Sequence, residues 1–121
     1  MCGLTGIVIG KNYAKDELEK VQELFTQVLL AHEERGREAT GVTAIRPDST
    51  CTILKKAIAA SEFIKTGEYR DFLAAWDNNV SILLGHTRKP TKGPVFNNVN
   101  NHPIVVGDTV GVHNGTVSNN N

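Results

Sequence analysis

The sequence predicts an α+β domain in which helices cover a sheet, and three observations carry that expectation. Residues 3–9 form an apolar run that reads as a buried strand at the very start of the chain. Leu18, Val21, Leu24, Phe25, Val28, Leu29 and His32 recur at helical spacing. Residues 80–88 carry apolar or small side chains on both faces of a strand, the pattern of a sheet covered on both sides.

The elements follow in order. After the first strand, Asp16 reads as a helix N-cap, with Glu19 three residues on completing a capping box. Gly36 is suited to end that helix in a left-handed conformation. Gly41 to Ile45 reads as a second strand, Pro47-Asp48-Ser49 as a turn, and Thr50 to Leu54 as the hairpin partner. Residues 58–76 read as helix in two pieces, broken near Gly67, with Phe63, Ile64, Phe72, Leu73 and Trp76 on the buried side. In the strand from Val80 to Arg88, Val80, Ile82 and Leu84 share one face; Ser81, Leu83, Gly85 and Thr87 share the other. Residues 89–101 turn to Pro, Gly, Lys and Asn, a loop long enough to suggest a functional role. Pro103 to Val106 and Val110 to Val112 read as short strands around Gly107-Asp108, and Asn114-Gly115 is a tight-turn dipeptide after them.

Composition narrows the function. The 121 residues fit one domain, and 40% hydrophobic with 21% charged residues is ordinary globular composition. Lys plus Arg equals Asp plus Glu at 13 each, so no net field calls for nucleic acid or an anionic membrane, and a small substrate is expected. Lys55-Lys56 is the only adjacent basic pair and reads as solvated surface. No apolar run approaches the roughly 20 residues of a membrane span, and no signal peptide is apparent. Two cysteines, Cys2 and Cys51, are too few for a disulfide scaffold, which points to a reducing, cytoplasmic compartment. Cys51 reads as a small buried hydrophobe.

Three constellations could do chemistry. Removal of Met1 would leave Cys2 with a thiol (pKa near ~8.5) and a free α-amine (near ~7.7–8.0) on one residue, a nucleophile with its own base. The alternative is a small residue that merely precedes a strand. Arg88, at a strand end, can grip a carboxylate through two parallel hydrogen bonds; a structural ion pair is the alternative. His86, on the same strand face, reads as structural. Asn114 and Gly115 can offer a side-chain and a backbone N–H to one point, the geometry of an oxyanion hole, or form an ordinary turn. Taken together these parts suit cleavage of an amide on a small acidic substrate such as glutamine. A metal site of His86, His102, His113 and Cys2 matches no zinc spacing, so neither metal nor cofactor is expected.

The motifs Cys2-Gly3-Leu4-Thr5-Gly6, Arg35-Gly36 with Gly41, Gly85-His86-Thr87-Arg88 with Thr91 and Gly93, Asn100-Asn101-His102-Pro103 and Val112-His113-Asn114-Gly115 resemble class II glutamine amidotransferases in order and approximate spacing. Within that family they are closest to the glutaminase domains of glucosamine-6-phosphate synthases. The resemblance implies a four-layer αββα sandwich of the N-terminal-nucleophile hydrolase type, with residues 1–121 as its N-terminal part. It implies that Cys2 forms a γ-glutamyl thioester and releases ammonia to a synthase domain or subunit. Arg88 would hold the α-carboxylate of L-glutamine, and Thr91 and His102 would line the pocket. Asn114 and Gly115 would form the oxyanion hole, and Arg35, Gly36 and Gly41 would support the nucleophile strand.

Three departures accompany the resemblance. Lys89 stands where the family has an aromatic residue after the motif Arg, and Lys92 where the synthases have His. The Asp that would bind the α-amino group is expected well after Gly115, beyond Asn121. An isolated chain with little turnover, contacts between copies through parts outside it, and a non-catalytic module for ligand sensing or partner binding are the corresponding alternatives.

Overall fold

The structure is a computed structural model that describes residues 2–10, 13–76, 80–89, 101–107 and 109–112. Strand β1 (Gly3–Val8) leads to helix α1 (Lys15–Ala31) and a 3₁₀ turn at Glu33–Arg35. Strands β2 (Ala39–Ile45) and β3 (Cys51–Lys56) form a hairpin. Helices α2 (Ala60–Phe63) and α3 (Gly67–Ala74) precede β4 (Ile82–Arg88), and β5 (Ile104–Val106) pairs with β6 (Thr109–Gly111). The first four strands form one antiparallel sheet in the order β1-β4-β2-β3. The architecture is α+β.

Alternation along β4 does what its residue pattern predicts. Leu83, Gly85 and Thr87 face the helices: Leu83 is fully buried, Gly85 lies against Phe25 and Leu29, and the Thr87 hydroxyl donates to the His32 carbonyl at 2.8 Å. Phe25, Leu29, Val42, Phe63, Tyr69 and Phe72 complete the core between sheet and helices. Each such side chain contributes about 1.5–3 kcal/mol by leaving water. Tyr69 keeps a partner while buried, its hydroxyl 2.7 Å from that of Thr26, and burial raises its pKa. Ile82, Leu84, His86 and Arg88 point to the opposite face, where residues 101–103 lie.

Several expectations need correction. Asp16 is not the N-cap. Helix α1 begins at Lys15, with Ala14 as an uncapped N-cap whose carbonyl already accepts from Leu18 at 3.0 Å. Asp16 instead sits in the first turn, where its charge favours the positive helix end. Gly36 is not left-handed. The chain leaves α1 through His32 and the 3₁₀ turn, and Gly36 is extended at φ −172°. A Cβ there would lie 2.4 Å from the Arg88 carbonyl carbon, so it is closeness to β4 that calls for glycine. Leu24 is 52% exposed, outside the buried stripe of Leu18, Phe25 and Leu29. Cys51 is exposed, because it opens the edge strand β3 beside the turn. The break in 58–76 does fall near Gly67, at residues 64–66; Gly67 starts α3, capped by the Thr66 hydroxyl, which accepts from the Tyr69 N–H at 3.1 Å.

Candidate active site

The site grows from the end of β4. Gly3 pairs with Thr87 across β1 and β4, so Cys2 reaches the level of Arg88. Gly3 permits this approach, since a Cβ there would lie 2.5 Å from Thr87 Oγ1 and 2.7 Å from His32 Cβ. The Cys2 Sγ lies 3.4 Å from both the amide nitrogen and the carbonyl oxygen of Lys89. Arg35, delivered by the 3₁₀ turn, donates from Nε to the Cys2 carbonyl at 3.1 Å. Cys2, Leu4, His32 and Arg35 line a shallow cleft of about 230 Å³. The His32 Nδ1 lies 2.7 Å from the Val28 carbonyl, a contact that places a proton on that nitrogen.

Arg88 is buried, at 5% exposure, and its Nη1 donates to the side-chain oxygen of Asn101 at 2.7 Å. Asn101 is itself wholly buried, and its backbone carbonyl accepts from Lys55 Nζ at 3.0 Å. His86 is buried and stacks on the His102 ring at a centroid distance of 4.3 Å. Gly41 explains how residues 101–103 come so close. Its Cβ would fall 1.7 Å from the His102 carbonyl oxygen, so only a bare backbone leaves that path open. Register places Leu4, His86, Gly41 and Lys55 in one row across the four strands.

Of the residues singled out in the sequence, Cys2 lies against the Lys89 backbone at the end of β4, Arg88 bonds to Asn101, and His102 stacks on His86. Thr91, Asn114 and Gly115 lie outside the described residues. Sequence reasoning missed Lys55, read as solvated surface. It is half-buried, and burial lowers its pKa from the usual lysine value, while Lys56 pairs with Glu68. Hairpin register combined with alternation was the available signal, since it sets Lys55 opposite Gly41. His32 was missed as well, and Asn101 was read only as part of the Asn100-Asn101-His102-Pro103 motif, with no role of its own. Among the described residues no cluster of three or more His, Cys, Asp or Glu is placed to hold a metal, and no helix is long and apolar enough to cross a membrane.

No protein-family model matches the chain. The glutamine–fructose-6-phosphate aminotransferase (isomerizing) of Vibrio cholerae is 30% identical over 119 residues, 98% of this chain. The enzymes of the same name from Buchnera aphidicola and Wigglesworthia glossinidia brevipalpis are 28% and 30% identical over 99% and 98% of the chain. The chain spans 17% of the length of each of these relatives. In fold, 77% of the chain superposes with a TM-score of 0.51 on 94% of a chain from a complex of β-clamp processivity factor and the little finger domain of PolIV, at 13% identity. That likeness concerns the α+β fold alone. The aminotransferase matches cover the stretch from Cys2 to Gly115 that carries the motifs, and over that stretch the chain is similar to these enzymes.

Proposed function

We propose that this region binds L-glutamine and hydrolyses its side-chain amide, giving glutamate and passing ammonia to an acceptor domain or subunit. The observation that carries the reading is the meeting of Cys2 with the Arg88 end of β4, the thiol lying against the backbone of the very next residue. A guanidinium that grips the α-carboxylate there would hold the substrate within reach of the thiol.

In this reading Met1 is removed. The α-amine of Cys2 takes the thiol proton, directly or through a water, and the thiolate attacks the amide carbon. The bond to nitrogen breaks as that nitrogen takes up the proton, ammonia leaves, and water then hydrolyses the γ-glutamyl thioester. Asn114 and Gly115 supply the donors for the oxyanion, an interaction typically worth ~10²–10³ in rate per donor. Thr91 and His102 line the pocket. The helices, the four-stranded sheet and the β5–β6 ribbon would be parts of a four-layer αββα sandwich of the N-terminal-nucleophile type, with residues 1–121 as part of one such domain. The cytoplasm, where a free thiol stays reduced, is the compartment this chemistry suits.

Mass spectrometry of the protein treated with an electrophilic glutamine analogue tests the reading. Loss of Met1 and modification of Cys2, with the exposed Cys51 left unmodified, is the expected result. Retention of Met1, or equal labelling of both cysteines, would refute it.

A further inference from the structure

His32 is fixed at three points and leans on the strand that carries Cys2. Its backbone N–H closes the last turn of α1, shared between the Val28 and Leu29 carbonyls at 3.2 Å each. The buried Thr87 hydroxyl donates to its carbonyl at 2.8 Å, which ties it to β4. Its Nδ1 donates to the Val28 carbonyl at 2.7 Å, which sets the plane of the ring. The half-buried ring stands against β1: Thr5 Oγ1 lies 3.5 Å from Nδ1, and a Cβ on Gly3 would fall 2.7 Å from His32 Cβ and 3.0 Å from Cδ2. On another side the same Cβ would fall 2.5 Å from Thr87 Oγ1. The bare backbone of Gly3 is therefore enclosed by two side chains from residues that are hydrogen-bonded to each other. Gly3 is the residue next to the thiol, it is the type with the widest backbone freedom, and β1 lies at the edge of its sheet. Bounds from outside the strand are what restrict its dihedral angles.

We infer that His32 is a positioning residue for Cys2: with Thr87 it confines Gly3 and so sets how far the thiol reaches over the end of β4. This rests on the reading of Cys2 as the nucleophile toward glutamine. The imidazole takes no proton in this role. Only the near half of the ring is used, Nδ1 for the Val28 carbonyl and Cδ2 against Gly3.

The test follows labelling of Cys2 in the full chain by a diazoketone analogue of L-glutamine, read by mass spectrometry against analogue concentration, with folding checked by circular dichroism. His32→Leu loses the Nδ1 bond. Its maximal labelling rate should fall roughly tenfold to a hundredfold, the penalty for a misplaced reacting group, with the half-saturating concentration within about twofold of wild type. His32→Asn keeps an N–H donor and a second atom at the two positions used, and should retain most of the wild-type rate. If His32→Leu fails to fold, Thr87→Val, close in shape and lacking the bond to the His32 carbonyl, should show the same loss of maximal rate. A folded His32→Leu or Thr87→Val with the wild-type rate overturns the inference and leaves the glutamine reading intact. So does a His32→Asn as slow as His32→Leu, which would assign the effect to the far nitrogen of the ring. A wild type in which Cys2 is labelled no faster than Cys51 overturns the reading, and the inference with it.

Discussion

Arg35 and Lys89 hold Cys2 from different sides: the Arg35 Nε donates to the Cys2 carbonyl at 3.1 Å, and the Lys89 backbone meets the Cys2 Sγ at 3.4 Å. Lys89 takes part through its main chain, so its side-chain identity does not set the position of the thiol. Arg35 acts through a side chain and can be removed. In Arg35→Ala, labelling of Cys2 by an electrophilic glutamine analogue should slow by roughly tenfold to a hundredfold, the usual penalty for a misplaced reacting group. Alkylation by small neutral iodoacetamide, which needs no docking, should change far less. Both rates are read by mass spectrometry, and a parallel change in the two would show that Arg35 affects only the exposure of the thiol.

Gly41 gives a test of how the 101–103 segment is seated. Gly41→Ala puts a methyl 1.7 Å from the His102 carbonyl oxygen, and the obstacle is backbone. The substitution should cost about 1–3 kcal/mol as an overpacking change. Gly111→Ala meets nothing within 4 Å and should cost less than about 0.5 kcal/mol. Urea denaturation of the two variants makes the comparison, and equal costs would contradict the close crossing.

Acid should weaken the link between the 3₁₀ turn and α2. Glu33 accepts from both the hydroxyl and the N–H of Ser61, at 2.5 and 2.9 Å, and these bonds hold its pKa below the usual 4.5. A carboxylate with a depressed folded-state pKa adds stability above its unfolded value and loses it as pH falls through the folded value. Ser61→Ala removes the larger cause, the hydroxyl bond. Between about pH 6 and pH 3 its denaturation midpoint should therefore fall less steeply than that of the wild type. Parallel curves would mean that the contact does not persist in solution.

The two helix starts should respond differently to loss of their polar residues. Thr66 caps α3 by accepting from Tyr69, so Thr66→Ala should cost about 0.5–2 kcal/mol. Asp16 makes no capping bond and offers only its charge to the first turn, so Asp16→Ala should cost a few tenths of a kcal/mol to about 1 kcal/mol. Thermal unfolding of both variants ranks them, and a larger loss for Asp16→Ala would restore the capping box.

Much of the local structure could be read from the chain because its causes are local. The apolar period fixes the buried stripe of α1 at Leu18, Phe25 and Leu29. Alternation sorts β4 into a helix-facing row and a site-facing row. The turn at Pro47-Asp48-Ser49 sets the β2–β3 hairpin, with Ile45 opposite Cys51. The motif order alone points to Cys2 and Arg88. The folded arrangement decides what depends on partners distant in the chain. Lys55 reads as surface until hairpin register sets it opposite Gly41, beneath a backbone 46 residues further on. Gly36 reads as a helix terminator until β4 comes close enough to forbid a side chain. Asn101 reads as part of a polar loop and of the Asn100-Asn101-His102-Pro103 motif, with no role of its own, until burial against Arg88 makes its oxygen an acceptor with no access to water. Periodicity encodes which face of an element is apolar. It carries no information on which polar atom from elsewhere will stand within hydrogen-bond distance of it.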